Sequence, residues 1–198
     1  MPDPTTPDED RRVAILEAAV AVLVDRGYGS ARVSDIAQRA GTSTGTIHYY
    51  FPTKVDVLDA ALQYAYDRSS VRQRAELATL DDPRDRLMRL IDLQIPDGDV
   101  EAEWAVWLEF WNEARHRTEL RERNAKVYRG WIEMIATIVQ DGIRRGTFRG
   151  DVDADDFALR FTGMFDGLGI QVLLGPTLDR RWQLRQVMVG MVDRELSP

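Results

Sequence analysis

The sequence predicts an all-α fold of about nine helices, a small N-terminal unit of three helices followed by a larger helical body. Three observations predict it. Apolar residues recur at i, i+3, i+4 and i+7 through most of the chain. No segment alternates apolar with polar residues between turn signals, as a half-buried strand would. Ser, Thr, Asp, Gly and Pro punctuate the pattern at short intervals, where helices begin and end.

The first helix is expected from about Pro7 to Arg26, with Val13, Leu16, Ala19, Val20 and Leu23 as its apolar stripe. Gly27 and Gly29 end it, and Tyr28 between them is expected to pack under the N-terminal three-helix unit. Ser34 and Thr44 are the expected N-caps of the second and third helices. In Phe51-Pro52-Thr53-Lys54, Pro52 stops the third helix and Thr53 caps a fourth, which carries Val57, Leu58, Ala61, Leu62 and Ala65 to about Thr79. Asp81-Asp82-Pro83 opens a fifth, with Leu87, Leu90 and Ile91, ending at Pro96-Asp97-Gly98-Asp99. A sixth is expected from about Val100 to His116. A seventh runs from about Glu119 to Arg145, with Val127, Trp131, Ile135, Ile138 and Val139 inward. Beyond the Gly146–Gly150 turn, Asp153 to Leu174 and Leu178 to Leu196 form the last two. A boundary near Lys54 divides residues 1–54 from residues 55–198, with the fourth helix belonging to both.

Residues 33–51 carry the most information. Ile36, Ala37 and Ala40 share one helical face, and Ile47 continues it beyond a turn that contains Gly41. Ala37 is small where two crossing helices come closest. Gly41 can take the positive φ that ends one helix before the next, and Ile47 plugs the angle between them. A small residue, a Gly four positions on and a β-branched residue six beyond that predict a helix-turn-helix, a DNA-reading unit.

The 198 residues, 44% of them hydrophobic, can bury a substantial core in one or two compact units. Cysteine is absent, which excludes disulfides, Cys-ligated zinc and thiol chemistry. No apolar run is expected to approach the roughly 20 residues of a membrane span. Met1 to Asp10, acidic and Pro-containing, does not read as a signal peptide. These features together predict a cytoplasmic protein without membrane contact. The formal net charge of −7 predicts modest nonspecific affinity for DNA. From Glu9 to Lys54, however, six basic residues face five acidic ones, so the acidity lies elsewhere.

The run Gly27-Tyr28, Val33-Ser34-Asp35-Ile36-Ala37, Ala40-Gly41-Thr42-Ser43, Gly45-Thr46-Ile47, Tyr50-Phe51, Lys54 and Leu58 resembles the TetR family of bacterial transcriptional regulators, with matches from about Val13 to Leu62. The resemblance implies a homodimer that reads a palindromic operator in double-stranded DNA and responds to a small molecule. It implies phosphate contacts from Ser34, Thr42, Ser43, Thr44, Tyr49 and Lys54. It also implies base-edge contacts from Thr46 and His48, with Gly45 letting the backbone approach the groove. The family commonly has Tyr where this chain has His48, and often His where it has Tyr50, so base preference does not transfer. Tyr50 and Phe51 are expected in the core.

In the body, Trp104, Trp107 and Trp111 stand at spacings of three and four on the sixth helix. Phe110, Tyr128, Trp131, Met134, Phe161, Met164 and Phe165 complete either an effector cavity or an aromatic-rich core. Glu109, Glu113 and Asp166 leave room for a cationic effector held by ring faces and a carboxylate, while a hydrophobic effector suits the rings alone. Trp107 to Arg115 and Phe165-Asp166-Gly167-Leu168 are also similar to the BetI-like branch, whose namesakes respond to choline. Phe157, Leu168, Val172, Leu184, Val187, Met188 and Met191 are the expected two-fold interface, with Gly163, Gly167 and Gly169 for close helix approach.

Two rivals stand beside this reading. An enzyme lacks an inventory: no cysteine, and His48 far from His116. Asp151, Asp153 and Asp155 imitate a calcium loop, but the required Gly is Asp156 and the twelfth position is Thr162, so no metal site is expected and those acids are read as capping the eighth helix. Gly163 to Gly169 follows no strand and lacks the phosphate-binding pattern, so no cofactor is expected. A helical adaptor that binds protein alone remains an alternative. The sequence favours a repressor released by its effector.

Overall fold

The computed structural model describes residues 7–175 and 181–198, and of Asp99 the backbone alone. The acidic tail before Pro7 and the helix start expected at Leu178 lie outside the described residues. Among these residues are nine α-helices: α1 Pro7–Ser30, α2 Val33–Arg39, α3 Thr44–Tyr50, α4 Lys54–Ala78, α5 Pro83–Gln94, α6 Asp99–Ala114, α7 Thr118–Arg145, α8 Ala154–Leu174 and α9 Arg181–Leu196.

They divide into two compact units. The first holds the described residues up to Ser70 with Ala105–Glu113 of α6; the second holds Val71–Trp104 and Ala114–Pro198. The division differs from the one drawn at Lys54. The first unit takes in most of α4 and a stretch of α6, and Glu109 of that stretch shows why. Its Oε2 accepts the Tyr28 backbone N–H at 2.7 Å, while the Tyr28 hydroxyl donates to Asp59 Oδ1 at 2.8 Å. Tyr28 is 6% exposed, as its place under the reader predicts. Gly27 (φ +73) turns the chain there, breaking α1 one residue past its expected end.

In the first unit α1 packs on α2 and α2 on α3. Leu16, Ala19 and Leu23 from α1 join Ile36, Ala37, Ile47 and Phe51, all buried. Gly41 adopts φ +62. Thr42 N–H reaches the Ala37 carbonyl at 2.9 Å and Gly41 N–H the Gln38 carbonyl at 3.3 Å, the pattern that closes a helix on a left-handed residue. The caps shift by a residue or two from expectation. Arg32 stands at the N-cap of α2, so Ser34 lies inside its first turn. Ser43 caps α3 by accepting from Thr46 N–H at 3.0 Å, and Thr44 is the first helical residue. Thr53 caps α4 as expected: its Oγ1 accepts from Asp56 N–H at 3.2 Å, and Asp56 Oδ2 accepts from Thr53 N–H at 2.9 Å.

In the second unit α8 packs between α7 and α9, and α5 on α7 and α9. Asp82 caps α5, and Asp153 caps α8 with bonds from Asp155 and Asp156 N–H, the role assigned to those acids. Trp104, Phe165, Phe161 and Phe157 form an aromatic ladder with centroid separations of 6.3, 6.2 and 5.9 Å. α8 is 21 residues long, and an 18-residue window of it has a mean hydropathy of 1.3, enough by length and composition for a membrane span although charged residues interrupt it. Its polar first turns (Asp155, Asp156 and Arg160) and the packing of Phe157, Ala158 and Phe161 make it a core helix of this unit.

Candidate nucleic-acid interface and effector region

The exposed face of α3 is built from residues three and four apart: Thr44, Gly45, His48 and Tyr49. Ile47, fully buried, fixes the opposite face. Tyr49 is 79% exposed, an unusual placement for a large ring, and meets Tyr50 edge-on at 5.1 Å between centroids. Gly45 is helical without a positive φ, and a Cβ there would meet only Ser43 Oγ at 3.5 Å. Nothing in the described fold requires glycine at this position.

The remaining predicted contacts are partly engaged. Ser43 and Thr46 hydroxyls pair at 2.9 Å, and Thr46 is half-buried, as is Thr42. His48 Nδ1 sits 3.1 Å from the Pro52 carbonyl. Lys54 Nζ donates to the Gly29 carbonyl at 3.0 Å, holding the end of α1 while two further N–H donors remain. Arg26 pairs with Asp35 at 2.8 Å and Arg39 with Asp25, so two basic residues of the reader tie α1 to α2. Ser34 and Arg32 are exposed at the start of α2. Arg32 was missed as a candidate contact; its only sequence signal was a basic residue just before a helix.

Tyr50 is half-buried, and its hydroxyl donates to the Asp8 carboxylate, which raises its own phenol above the ordinary range. Phe51 is buried with the Arg12 guanidinium 5.3 Å above its ring. Both therefore serve packing.

The predicted aromatic cavity resolves into two clusters, one per unit. In the first, Trp107 meets Phe110 at 5.5 Å, Trp111 at 6.0 Å and Tyr66 at 5.8 Å. Glu109 of this group is spent on Tyr28. In the second lie Trp104, Phe161 and Phe165, all buried, with Tyr128 and Trp131 half-buried. Trp104 Nε1 donates to the Gln94 carbonyl at 2.8 Å. Tyr128 donates to Asp166 Oδ2 at 3.0 Å. Burial pushes the Asp166 carboxyl up to about 6, against a lowering by that hydrogen bond. Burial and the nearby Asp166 charge push Tyr128 up to about 12. A half-buried carboxylate with one phenol donor keeps unused acceptor capacity.

The expected interface residues also divide. Phe157, Leu184, Met188 and Met191 are at most 1% exposed within their own unit, so they form its core and cannot face a partner. Leu168 and Val172 are half-buried, and Val187 is 41% exposed. A Cβ at Gly169 would overlap the indole of Trp104, so this glycine serves internal packing. Gly163 and Gly167 have open space above them.

Residues 15–61 match the N-terminal domain of the tetR family of bacterial regulatory proteins, and residues 83–197, over half the chain, match the C-terminal domain of BetI-type transcriptional repressors. The chain belongs to the TetR family. It is a ligand-responsive, DNA-binding transcriptional regulator, and members of this family are not enzymes. A transcriptional regulator from Saccharomonospora viridis, solved in complex with choline, is 39% identical, with a TM-score of 0.90 over 96% of this chain and 98% of that one. BetI 1 from Chromohalobacter salexigens is 28% identical over 94% of this chain and 91% of its own. PksA from Bacillus subtilis is 24% identical over 93% and 89%.

Proposed function

We propose that this TetR-family protein is a homodimeric repressor that reads a palindromic operator through the exposed face of α3 and leaves it on binding a small quaternary ammonium cation. The observation that carries the DNA reading is that face itself, with Tyr49 almost fully exposed beside a Gly45 that no internal packing explains. Thr44 and Tyr49 bind phosphate, His48 and Thr46 approach base edges, and Ser34, Thr42, Ser43 and Lys54 add backbone contacts. The protein works in the cytoplasm, where the operator is.

The effector site lies in the second unit, where Tyr128 of α7 donates to Asp166 of α8, one residue past Phe165 of the Trp104–Phe165 stack, and Trp131 stands three residues further along α7. Ring faces and one carboxylate suit a cation too bulky to hydrogen-bond. The choline bound by the 39% identical S. viridis protein supports that class. The dimer surface uses what α8 and α9 leave exposed: Leu159, Met164, Leu174, Trp182 and Val187, with Gly163 and Gly167 allowing close approach. Effector binding shifts the population toward a form whose two readers mismatch the operator, with α4 carrying the change. A preference of only about 1.4 kcal/mol for that form lowers DNA affinity tenfold.

Tryptophan fluorescence titrated with choline, with its neutral carbon isostere 3,3-dimethylbutanol and with a medium-chain fatty acid tests the effector. Saturation by choline alone is expected. Saturation by the fatty acid alone would replace the cationic reading with a hydrophobic one.

A further inference from the structure

We infer that His48 reads an exocyclic amine, adenine N6 or cytosine N4, through its Nε2 atom. The inference rests on the reading of α3 as the helix that enters the major groove.

The observation is made at the other ring nitrogen. Nδ1 lies 3.1 Å from the Pro52 carbonyl oxygen. A carbonyl oxygen only accepts, so Nδ1 carries the proton of that bond. A neutral imidazole has one N–H, which leaves Nε2 with a lone pair and no hydrogen. The Pro52 carbonyl is itself held in place. Phe51 before it is buried, the proline ring fixes φ, and the reciprocal Thr53–Asp56 cap follows it. His48 and Pro52 are both exposed, so the ring is a surface group oriented by one backbone acceptor.

The major groove offers Nε2 two kinds of partner. Guanine N7 and O6, adenine N7 and thymine O4 are acceptors and meet it lone pair to lone pair. The amines of adenine and cytosine are donors. An acceptor locked in place therefore selects adenine or cytosine and rejects guanine and thymine. The Tyr common to the family at this position has a hydroxyl that can donate as well as accept, so the preference belongs to this chain.

The test uses the full chain. Selection from random duplex DNA defines the preferred half-site, and fluorescence anisotropy then measures affinity for that duplex and for versions lacking one amine. Nebularine replaces adenine, and pyrimidin-2-one replaces cytosine. Deleting the amine that faces His48 should cost wild type about tenfold and His48→Ala nothing, since the variant has already lost the bond. His48 is exposed, so His48→Ala should keep the wild-type melting midpoint. An amine deletion that costs both proteins equally, or a selected guanine or thymine whose replacement matters only to wild type, overturns the inference alone. Failure to select any sequence overturns the reading of α3 and the inference with it.

Discussion

Replacing Gly45 by alanine should stabilise the fold and weaken DNA binding at once. The residue lies in the first turn of α3 with ordinary helical backbone, so its conformation does not call for glycine. A Cβ there meets only Ser43 Oγ, at an unstrained 3.5 Å. The methyl group therefore costs the folded state nothing and restricts the unfolded chain. The expected gain is about 0.5–1 kcal/mol, and each kcal/mol raises the melting midpoint of a chain this size by roughly 2–4 °C. On DNA the same methyl stands between the α3 backbone and the groove. Overpacking of a close contact costs about 1–3 kcal/mol, a loss of about 5- to 150-fold in affinity. Calorimetry gives the midpoint, and anisotropy on a selected duplex at fixed salt gives the affinity. A raised midpoint with unchanged affinity would refute the claim that the backbone approaches the duplex at residue 45.

Three further perturbations have worked signs. Gly169→Ala drives a methyl into the Trp104 indole and should cost about 1–3 kcal/mol in denaturant unfolding, with an altered tryptophan emission; neutrality would show that the indole has room to move. Glu109→Ala strips the acceptor from the part-buried Tyr28 N–H and should cost about 1–3 kcal/mol, while Glu109→Gln, which keeps an acceptor oxygen, costs less; equal losses would assign the effect to charge. Asp166, raised by burial to about 6 from an ordinary 3.8, holds its proton more tightly folded than unfolded, so its stabilising contribution is full below 3.8 and is lost as pH rises through 6. Wild type should therefore gain about 1 kcal/mol relative to Asp166→Asn between pH 7 and pH 5, and parallel pH profiles would contradict the burial of that carboxyl.

Local signals survived the passage from sequence to structure, and long-range ones did not. Ala37, Gly41 and Ile47 specify the turn between α2 and α3 because their constraints act within a few residues, and Gly41 has the positive φ that the pattern asks for. Thr53, Asp82 and Asp153 cap where expected for the same reason. Ser34 and Thr44 failed as caps because Arg32, two residues before the first, and Ser43, one before the second, take the extended backbone of the cap position. Periodicity identifies an apolar face but not what covers it. Phe157, Leu184, Met188 and Met191 are apolar because α5, α7, α8 and α9 cover one another, and their pattern is the same as that of a partner-facing stripe. The role of Glu109 rests on a hydrogen bond across 81 residues, and no spacing rule reaches that far.

The most direct test is a titration of the full chain against duplex DNA flanking its own gene at low salt, read by anisotropy with and without choline. Saturable binding that weakens at least tenfold in Tyr49→Ala and is reversed by choline is the predicted result. DNA that the wild type ignores, or binds as tightly with Tyr49→Ala as without it, would contradict the central claim that the exposed face of α3 reads the operator.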